Sequence, residues 1–268
     1  MNMILRGIRY HVECFGDGFP LLLLHGFTGD SSTWTSFYDQ WGKHSTVISL
    51  DVIGHGTTES PVDVEKYDIL SVAKDLFELL ENLKINKVDL LGYSMGGRLA
   101  LTFALQYPHK VRKLILESAT AGIANENERE QRRMKDHQLG EFLQENGVLT
   151  FVDYWEEIPL FTTQKRLSSD KRAQIREQRL NNKAIGLINS LKGMGTGAQP
   201  SWWEKLESVT CEVLLVTGSL DLKFCQIAEK MKGKMALCQW ITVEDCGHAI
   251  HVEEPKKFGT IISEFLVQ

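Results

Sequence analysis

The chain has 268 residues and a formal net charge of −5, with 43% hydrophobic and 24% charged residues. This length suits one large α/β domain, and the acidic balance argues against nucleic acid as a general partner. No apolar run approaches the ~20 residues of a membrane-spanning helix, and residues 1–6 lack the character of a signal peptide. We therefore expect a cytoplasmic protein without membrane insertion.

Short apolar runs alternate with helical segments in the first half of the chain. Apolar residues at helical spacing predict a helix from Tyr67 to Leu83. The predicted strands are Ile8–Cys14, Leu21–Leu24, Thr46–Leu50, Val88–Leu91 and Lys113–Leu116. Continuous apolar strands separated by helices imply a mostly parallel sheet that is covered on both faces.

The pattern changes between about Ala119 and Leu206, where buried strands give way to charged helical segments with aromatic clusters. Strands resume at Glu212–Gly218 and Gln239–Val243, and a closing helix follows Pro255. We predict an α/β core of residues 1–118 and 206–268, with residues 119–205 inserted as a helical cap. Within the cap, the glycine-rich stretch of residues 193–197 is interpreted as a flexible linker.

The five residues Gly92-Tyr93-Ser94-Met95-Gly96 follow a predicted strand and precede a helical run. A strand, a sharp turn with a central serine and a helix are typical of a nucleophile elbow. Glycines lie two residues before and two residues after the serine because the turn is too tight for larger side chains there. The helix N-terminus favours negative charge that develops beside the serine.

A catalytic serine needs a histidine to take its proton and an acid to orient that histidine. Asp221 and His248 follow the serine in the expected order, and each comes just after a predicted strand. Asp221 could instead be a helix cap, and His251 competes with His248. The order and the strand-end positions favour a triad of Ser94, Asp221 and His248.

The segment His25-Gly26-Phe27-Thr28-Gly29 follows the strand Leu21–Leu24, where this architecture places part of its oxyanion hole. The two donors would be the backbone N–H groups of Phe27 and Met95. The alternative is an ordinary turn that contains glycine.

Arg98 lies near the start of the elbow helix, where a cation opposes the helix dipole by roughly 0.3–1 kcal/mol. This placement favours an anionic ligand beside the serine, although an exposed arginine paired with an acid is the alternative. The cap adds two rows of arginines at helical spacing, most of which we expect to pair with neighbouring acids. One or two should face the site, because arginine suits carboxylate recognition. These rows contain Arg129, Arg132, Arg133, Arg172, Arg176 and Arg179.

Several segments together resemble the α/β-hydrolase-fold 2-succinyl-6-hydroxy-2,4-cyclohexadiene-1-carboxylate synthases of menaquinone biosynthesis. The resemblance covers nearly the whole chain, and Arg98 and the cap segments are its most specific parts. One departure is Val52-Ile53 before Gly54-His55-Gly56, where the family usually has a proline. The matching segments are Leu24–Gly29, Leu50–Gly56, Gly92–Arg98, Glu128–Arg132 with Asp136, Trp155 with Pro159–Phe161, Arg179 with Asn181–Asn182, and Gln199–Pro200.

The resemblance implies a carbon–oxygen lyase that eliminates pyruvate from a substrate with three carboxylates, with Ser94 as the base. It also implies that Arg98, Arg132 and Arg179 bind carboxylates and that Tyr93, Trp155 and Gln199 line the pocket. A carboxylesterase or carbon–carbon bond hydrolase that works through an acyl-enzyme is the alternative, and a non-enzymatic receptor is a third reading.

The sequence indicates a small-molecule polycarboxylate substrate and neither a metal nor a cofactor. The five cysteines are odd in number and form no Cys-x-x-Cys pair, which predicts reduced thiols. Phosphate-loop and zinc-helix motifs do not occur. We expect a monomer or a weak homo-oligomer.

Overall fold

A computed structural model describes all 268 residues. Eight strands form one sheet in the order β1-β2-β4-β3-β5-β6-β7-β8, in which β1–β2 and β2–β4 are antiparallel and all other pairs are parallel. The predicted mostly parallel sheet is therefore confirmed. The strands are β1 Asn2–Leu5, β2 Ile8–Phe15, β3 Phe19–Leu24, β4 Ser45–Leu50, β5 Val88–Tyr93, β6 Val111–Glu117, β7 Glu212–Gly218 and β8 Cys238–Val243.

Nine α-helices accompany the sheet. Three of them, α4 to α6, lie between β6 and β7, and no strand interrupts this part of the chain. The helices are α1 Tyr38–Trp41, α2 Ile69–Asn82, α3 Met95–Gln106, α4 Glu126–Glu156, α5 Ser169–Leu180, α6 Ala184–Met194, α7 Leu222–Lys232, α8 Ile250–Glu253 and α9 Pro255–Val267. The division into a core and a cap at residues 119 and 206 stays a prediction.

The sheet is buried on both faces, as its continuous apolar strands require. Along β3, Leu22 and Leu24 belong to one apolar cluster, whereas Leu21 and Leu23 belong to a second cluster on the opposite face. Alternate side chains of a strand point to opposite faces, so one short strand contributes to both cores. This packing holds the strands in place, so the loops that follow their carboxyl ends, which carry the candidate site, have defined positions.

Most strands extend one or two residues beyond their predicted ends, and one helix start and one strand differ from the sequence expectation in other ways. The helix predicted from Tyr67 starts at Ile69, because the Asp68 carboxylate accepts hydrogen bonds from the N–H groups of Leu70 and Ser71 and so caps the helix. Strand β1, which was not predicted, pairs along β2 at the edge of the sheet. Its apolar run has only three residues, Met3–Leu5, and only Leu5 is fully buried, so the sequence signal for this edge strand is short.

Candidate active site

Ser94 lies in a sharp turn between β5 and α3, as predicted for a nucleophile elbow. Its backbone has φ 49° and ψ −105°, a conformation that costs of order 1–3 kcal/mol for a residue other than glycine. The Ser94 N–H donates to the Glu117 carbonyl oxygen at 2.9 Å and anchors the turn to β6. A Cβ atom on Gly96 would overlap the Leu24 carbonyl oxygen, so the close approach of α3 to β3 requires glycine there.

The structure brings Ser94, His248 and Asp221 into one hydrogen-bonded chain. His248 Nε2 lies 3.0 Å from Ser94 Oγ, and His248 Nδ1 lies 2.7 Å from Asp221 Oδ2. The His248 side chain is almost completely buried, which keeps its ring in a single orientation. Asp221 also caps α7, so both roles considered for it from the sequence occur together.

His251, the other candidate histidine, occupies a different place. Its Nδ1 atom lies 2.9 Å from both carboxylate oxygens of Glu117, and its backbone N–H donates to one of them. Both side chains are buried. This ring is bonded to Glu117 and packs against Tyr93, so the histidine that contacts Ser94 is His248.

The two expected oxyanion donors lie beside the serine. Phe27 is in the loop after β3, and its backbone N–H has no hydrogen-bond acceptor within the protein. Met95 is the first residue of α3, where N–H groups lack acceptors within the helix. Phe27 and Met95 both line the cavity that contains Ser94. Their function as donors to a reaction intermediate remains a prediction.

A cavity of about 800 Å³ extends from the triad between the sheet edge and the helices α4 and α6. We call it the main cavity. Its wall combines apolar side chains with four Lys or Arg side chains and one carboxylate, Asp136. The whole chain carries a net charge of −5, so the excess of positive charge on this wall is a local exception to the overall acidic character. The four cations are Arg98, Arg132, Lys135 and Lys223.

Arg98 is a buried cation of the main cavity that no carboxylate pairs with. Its Nη1 donates to the Met194 carbonyl oxygen at 2.5 Å and to Gln199 Oε1 at 2.9 Å. Burial, and secondarily repulsion from Arg132, lowers the pKa of the Arg98 guanidinium to about 10. A buried charge without a counter-ion is unfavourable, so an anionic ligand would relieve it.

Arg132 reaches the same cavity from α4. Its Nε donates to Asp136 Oδ1 at 2.8 Å, whereas its two terminal nitrogens have no hydrogen-bond partner within the protein. The guanidinium is therefore held in place by one donor while the others stay free for a ligand. Asp136 Oδ2 is buried without a hydrogen bond.

Three other cap arginines are paired with acids, as expected for a solvated helix face, whereas Arg172 has no acidic partner within 4.0 Å. Arg129 bonds Glu126, and Arg133 bonds both Glu126 and Glu130. In α5, Arg176 bonds Asp153 and Glu156 of α4. These cations stabilise the helical segment.

Arg179 and Gln199 lie outside the wall of the main cavity. Arg179 is buried against Phe161, with its guanidinium carbon 4.8 Å from the ring centroid, and contacts Glu156 at 3.4 Å. It lines a neighbouring cavity of about 400 Å³. Gln199 is fully buried and bonds Arg98, so its contact with the site passes through that arginine. Carboxylate binding by Arg179 and ligand contact by Gln199 remain predictions.

Aromatic side chains form the apolar part of the main cavity. Tyr93 and Trp155, both predicted pocket residues, lie on its wall. The Phe27 ring meets Trp155 edge to face at a centroid distance of 5.4 Å, which joins the loop after β3 to helix α4. Phe224, which was not predicted, lies 4.6 Å from the His248 ring. Its position three residues after Asp221, in the first turn of the helix that follows, is the sequence signal that could have placed it near the triad.

The glycine-rich stretch of residues 193–197 is not a flexible linker, contrary to the sequence interpretation. Met194, Gly195 and Gly197 are buried, and a Cβ atom on Gly193 would approach the Tyr67 backbone within 2.5 Å. The glycines allow this turn to pack closely, and it then presents the Met194 carbonyl oxygen to Arg98. Composition alone could not reveal these contacts, because they are distant in sequence.

The structure contains neither a metal-ligand cluster nor a membrane-spanning helix. No group of three or more His, Cys, Asp or Glu side chains is arranged to hold a metal ion. None of the helices combines the length and apolar character that crossing a bilayer requires.

Comparisons with known proteins agree with this geometry. Residues 20–255 match the model of the α/β-hydrolase fold family. A Bacillus subtilis protein named putative 2-succinyl-6-hydroxy-2,4-cyclohexadiene-1-carboxylate synthase is 45% identical over 97% of this chain and 95% of its own. The synthase of that name from Enterobacter sp. is 29% identical over 93% and 92%.

A solved structure of MenH from S. aureus superposes with a TM-score of 0.91 at 34% identity, covering 96% of this chain and 97% of the other. The fold, the extent of the matches and the agreement at sequence level all lead to the same family. The chain therefore belongs to the 2-succinyl-6-hydroxy-2,4-cyclohexadiene-1-carboxylate synthases, a family of lyases built on the α/β-hydrolase fold.

Proposed function

We propose that the enzyme eliminates pyruvate from 2-succinyl-5-enolpyruvyl-6-hydroxy-3-cyclohexene-1-carboxylate to give 2-succinyl-6-hydroxy-2,4-cyclohexadiene-1-carboxylate in menaquinone biosynthesis. The names of the Bacillus and Enterobacter relatives support the product. The five free cysteines suit a reducing compartment, and we place the reaction in the cytoplasm. The substrate is a small polycarboxylate.

In the proposed mechanism, Ser94 is a base. His248 Nε2, 3.0 Å from Ser94 Oγ, takes the hydroxyl proton as the oxygen removes a proton from the ring carbon next to the succinyl ketone. The electron pair of that C–H bond forms an enolate. The enolate collapses, the C–O bond to the enolpyruvyl group breaks, and the ring gains its second double bond. Enolpyruvate then takes a proton on carbon and becomes pyruvate.

Asp221 supports this proton transfer without exchanging a proton itself. Its carboxylate, 2.7 Å from His248 Nδ1, holds the proton on that nitrogen and stabilises the imidazolium that forms. Negative charge grows on the ketone oxygen at the same moment, and the N–H groups of Phe27 and Met95 are the proposed donors to it. Such preorganised donors typically contribute ~2.7–4 kcal/mol each.

The observation that carries the proposal is Arg98, a buried guanidinium on the wall of the triad cavity with no carboxylate partner. An ester hydrolase for neutral substrates would gain nothing from this charge, yet its folded state would still be destabilised by burying it. A polycarboxylate would pair with it. The triad alone does not separate the two reactions, because both begin with proton transfer from Ser94 to His248.

The test incubates the enzyme with the enolpyruvyl substrate and follows pyruvate through lactate dehydrogenase, with the hydrolysis of p-nitrophenyl acetate measured in parallel. We expect stoichiometric pyruvate and diene, and we expect Ser94→Ala to lower kcat by roughly 10³-fold or more, in the range known for triad serines. Rapid ester turnover without pyruvate would favour the hydrolase that works through an acyl-enzyme and would contradict the proposal.

A further inference from the structure

We propose that Lys223 is a further substrate-binding residue, which holds a carboxylate of the substrate at the mouth of the active site. This inference rests on the proposed function for the identity of the substrate. Lys223 lies two residues after Asp221, in the first turn of α7, and it lines the main cavity.

The position of Lys223 connects it to the reacting groups through one side chain. Its Nζ lies 5.7 Å from the centroid of the Phe224 ring, and that ring lies 4.6 Å from the His248 ring. A ligand bound to Ser94 and His248 that extends past Phe224 would therefore bring a charged arm to the ammonium group. Lys223 itself is exposed, as the mouth of a cavity requires.

Lys223 has no counter-ion and opposes a helix dipole. No carboxylate lies within 4.0 Å of its Nζ, in contrast to Arg129, Arg133 and Arg176. Apart from the capping Asp221, which is bonded to His248, the first turn of α7 contains no acid, so Lys223 opposes the helix dipole. Arg98 likewise opposes the dipole of α3, which has Ser94 as its N-cap residue and no acid in its first turn. Both helices that start at triad residues thus place an unpaired cation beside the cavity.

A third cavity, of about 380 Å³, adjoins the main cavity between α4 and α7. We call it the outer cavity. Its wall includes Arg132 from α4 and Lys223 and Lys230 from α7, against one carboxylate, Glu128. Arg132 and Lys223 line both cavities. A carboxylate at this junction would contact cations of two separate parts of the chain, the inserted helices and the core.

The negative charge of the substrate also favours a further cation at the site. Its three carboxylates face two arginines on the main cavity wall, Arg98 and Arg132, of which Arg132 is partly engaged by Asp136. One exposed lysine of α4, Lys135, also lines this wall. Arg179 lines the neighbouring cavity and contacts Glu156. Lys223 supplies a cation that is both free and placed beside the triad.

The experiment compares Lys223→Gln, Lys223→Arg and the wild type in the pyruvate assay at several salt concentrations. Lys232→Gln is the matched control, because it removes a lysine of the same helix that lines neither cavity. We expect Lys223→Gln to raise KM about tenfold with kcat within about twofold, as for a lost contact that substrate and transition state share. It should also weaken the salt dependence of kcat/KM. Lys223→Arg should stay within about threefold of the wild type, and Lys232→Gln should match it.

A calorimetric titration with propane-1,2,3-tricarboxylate separates this inference from the proposed function. We expect Lys223→Gln to bind this probe more weakly than the wild type does, whether or not pyruvate is released. If the wild type binds the probe through Lys223 but releases no pyruvate, the proposed function fails and the carboxylate site stands. Unchanged KM and unchanged probe affinity in Lys223→Gln would overturn the inference. A fall in kcat with KM unchanged would also overturn it, because that result indicates a structural effect.

Discussion

Replacing Arg98 with methionine tests whether the charge beside Ser94 serves the substrate. Methionine keeps an unbranched side chain and removes the guanidinium. The change leaves two acceptors, the Met194 carbonyl oxygen and Gln199 Oε1, without their donor, at about 1–3 kcal/mol each. It also relieves a buried charge. Burial lowers the pKa of this guanidinium from 12.5 to about 10, which at ~1.4 kcal/mol per pH unit corresponds to roughly 3 kcal/mol.

These two effects largely cancel, so we expect Arg98→Met to remain folded. The net change in the free energy of unfolding should stay below about 3 kcal/mol, and the melting temperature should shift by no more than about 6–12 °C. Catalysis should suffer far more. Losing one partner of a buried charge pair with the substrate costs about 2–5 kcal/mol, which lowers kcat/KM for pyruvate release by roughly 30- to 5000-fold.

The assay measures pyruvate release and p-nitrophenyl acetate hydrolysis on the same preparations. Arg98→Lys, which keeps the charge but not the forked geometry, should fall between the wild type and Arg98→Met. A neutral ester does not need the charge, so its turnover should change little. A kcat/KM for pyruvate release within threefold of the wild type would refute the reasoning. An equal loss on the ester would refute it too, since the site itself would then be disrupted.

Two further predictions concern the framework. Gly96→Ala should destabilise the protein by at least about 1–3 kcal/mol and abolish both activities, because its Cβ overlaps the Leu24 carbonyl oxygen. Gly140→Ala, whose Cβ has its nearest neighbour at 3.6 Å within a helix, should be neutral or stabilising by up to about 1 kcal/mol in the same denaturation experiment. Burial raises the pKa of Asp75 from 3.8 to about 6, so the folded state holds this proton more tightly than the unfolded state. That contribution to stability is complete below about pH 4 and is lost as the pH rises through about 6. The free energy of unfolding of Asp75→Asn minus that of the wild type should therefore increase between about pH 4 and pH 6, measured by urea titration. A difference that stays constant with pH would contradict the raised pKa of Asp75.

The triad could be predicted from the sequence because it depends on local patterns. Ser94, Asp221 and His248 each follow a strand, and parallel strands bring their carboxyl ends to one edge of the sheet. Register then aligns these ends, with Leu24 of β3 opposite Gly92 of β5. The sequence order favoured His248 over His251, and the structure adds where the second ring is held, since only the packing of Glu117 reveals it.

The surroundings of the arginines could not be predicted, because they depend on contacts between distant parts of the chain. Gln199 bonds an arginine 101 positions earlier, and Arg179 packs against a phenylalanine of a separate segment. Helical spacing groups arginines by face but does not say which of them meet acids. The same limit explains the error at residues 193–197, where glycines that serve close packing have the composition of a linker.

The presence or absence of a carboxylate partner distinguishes the cations that stabilise the fold from those that are free to bind a ligand. Arg129, Arg133 and Arg176 are neutralised by nearby carboxylates, so their charges are balanced within the protein. Arg98 and Lys223 are not neutralised, and both oppose a helix dipole beside the triad. Their unpaired charges lie on the wall of the cavity that contains Ser94, where a ligand can reach them. A neutral acyl substrate would leave these charges unrelieved, whereas a polycarboxylate that loses a proton to Ser94 relieves them on binding.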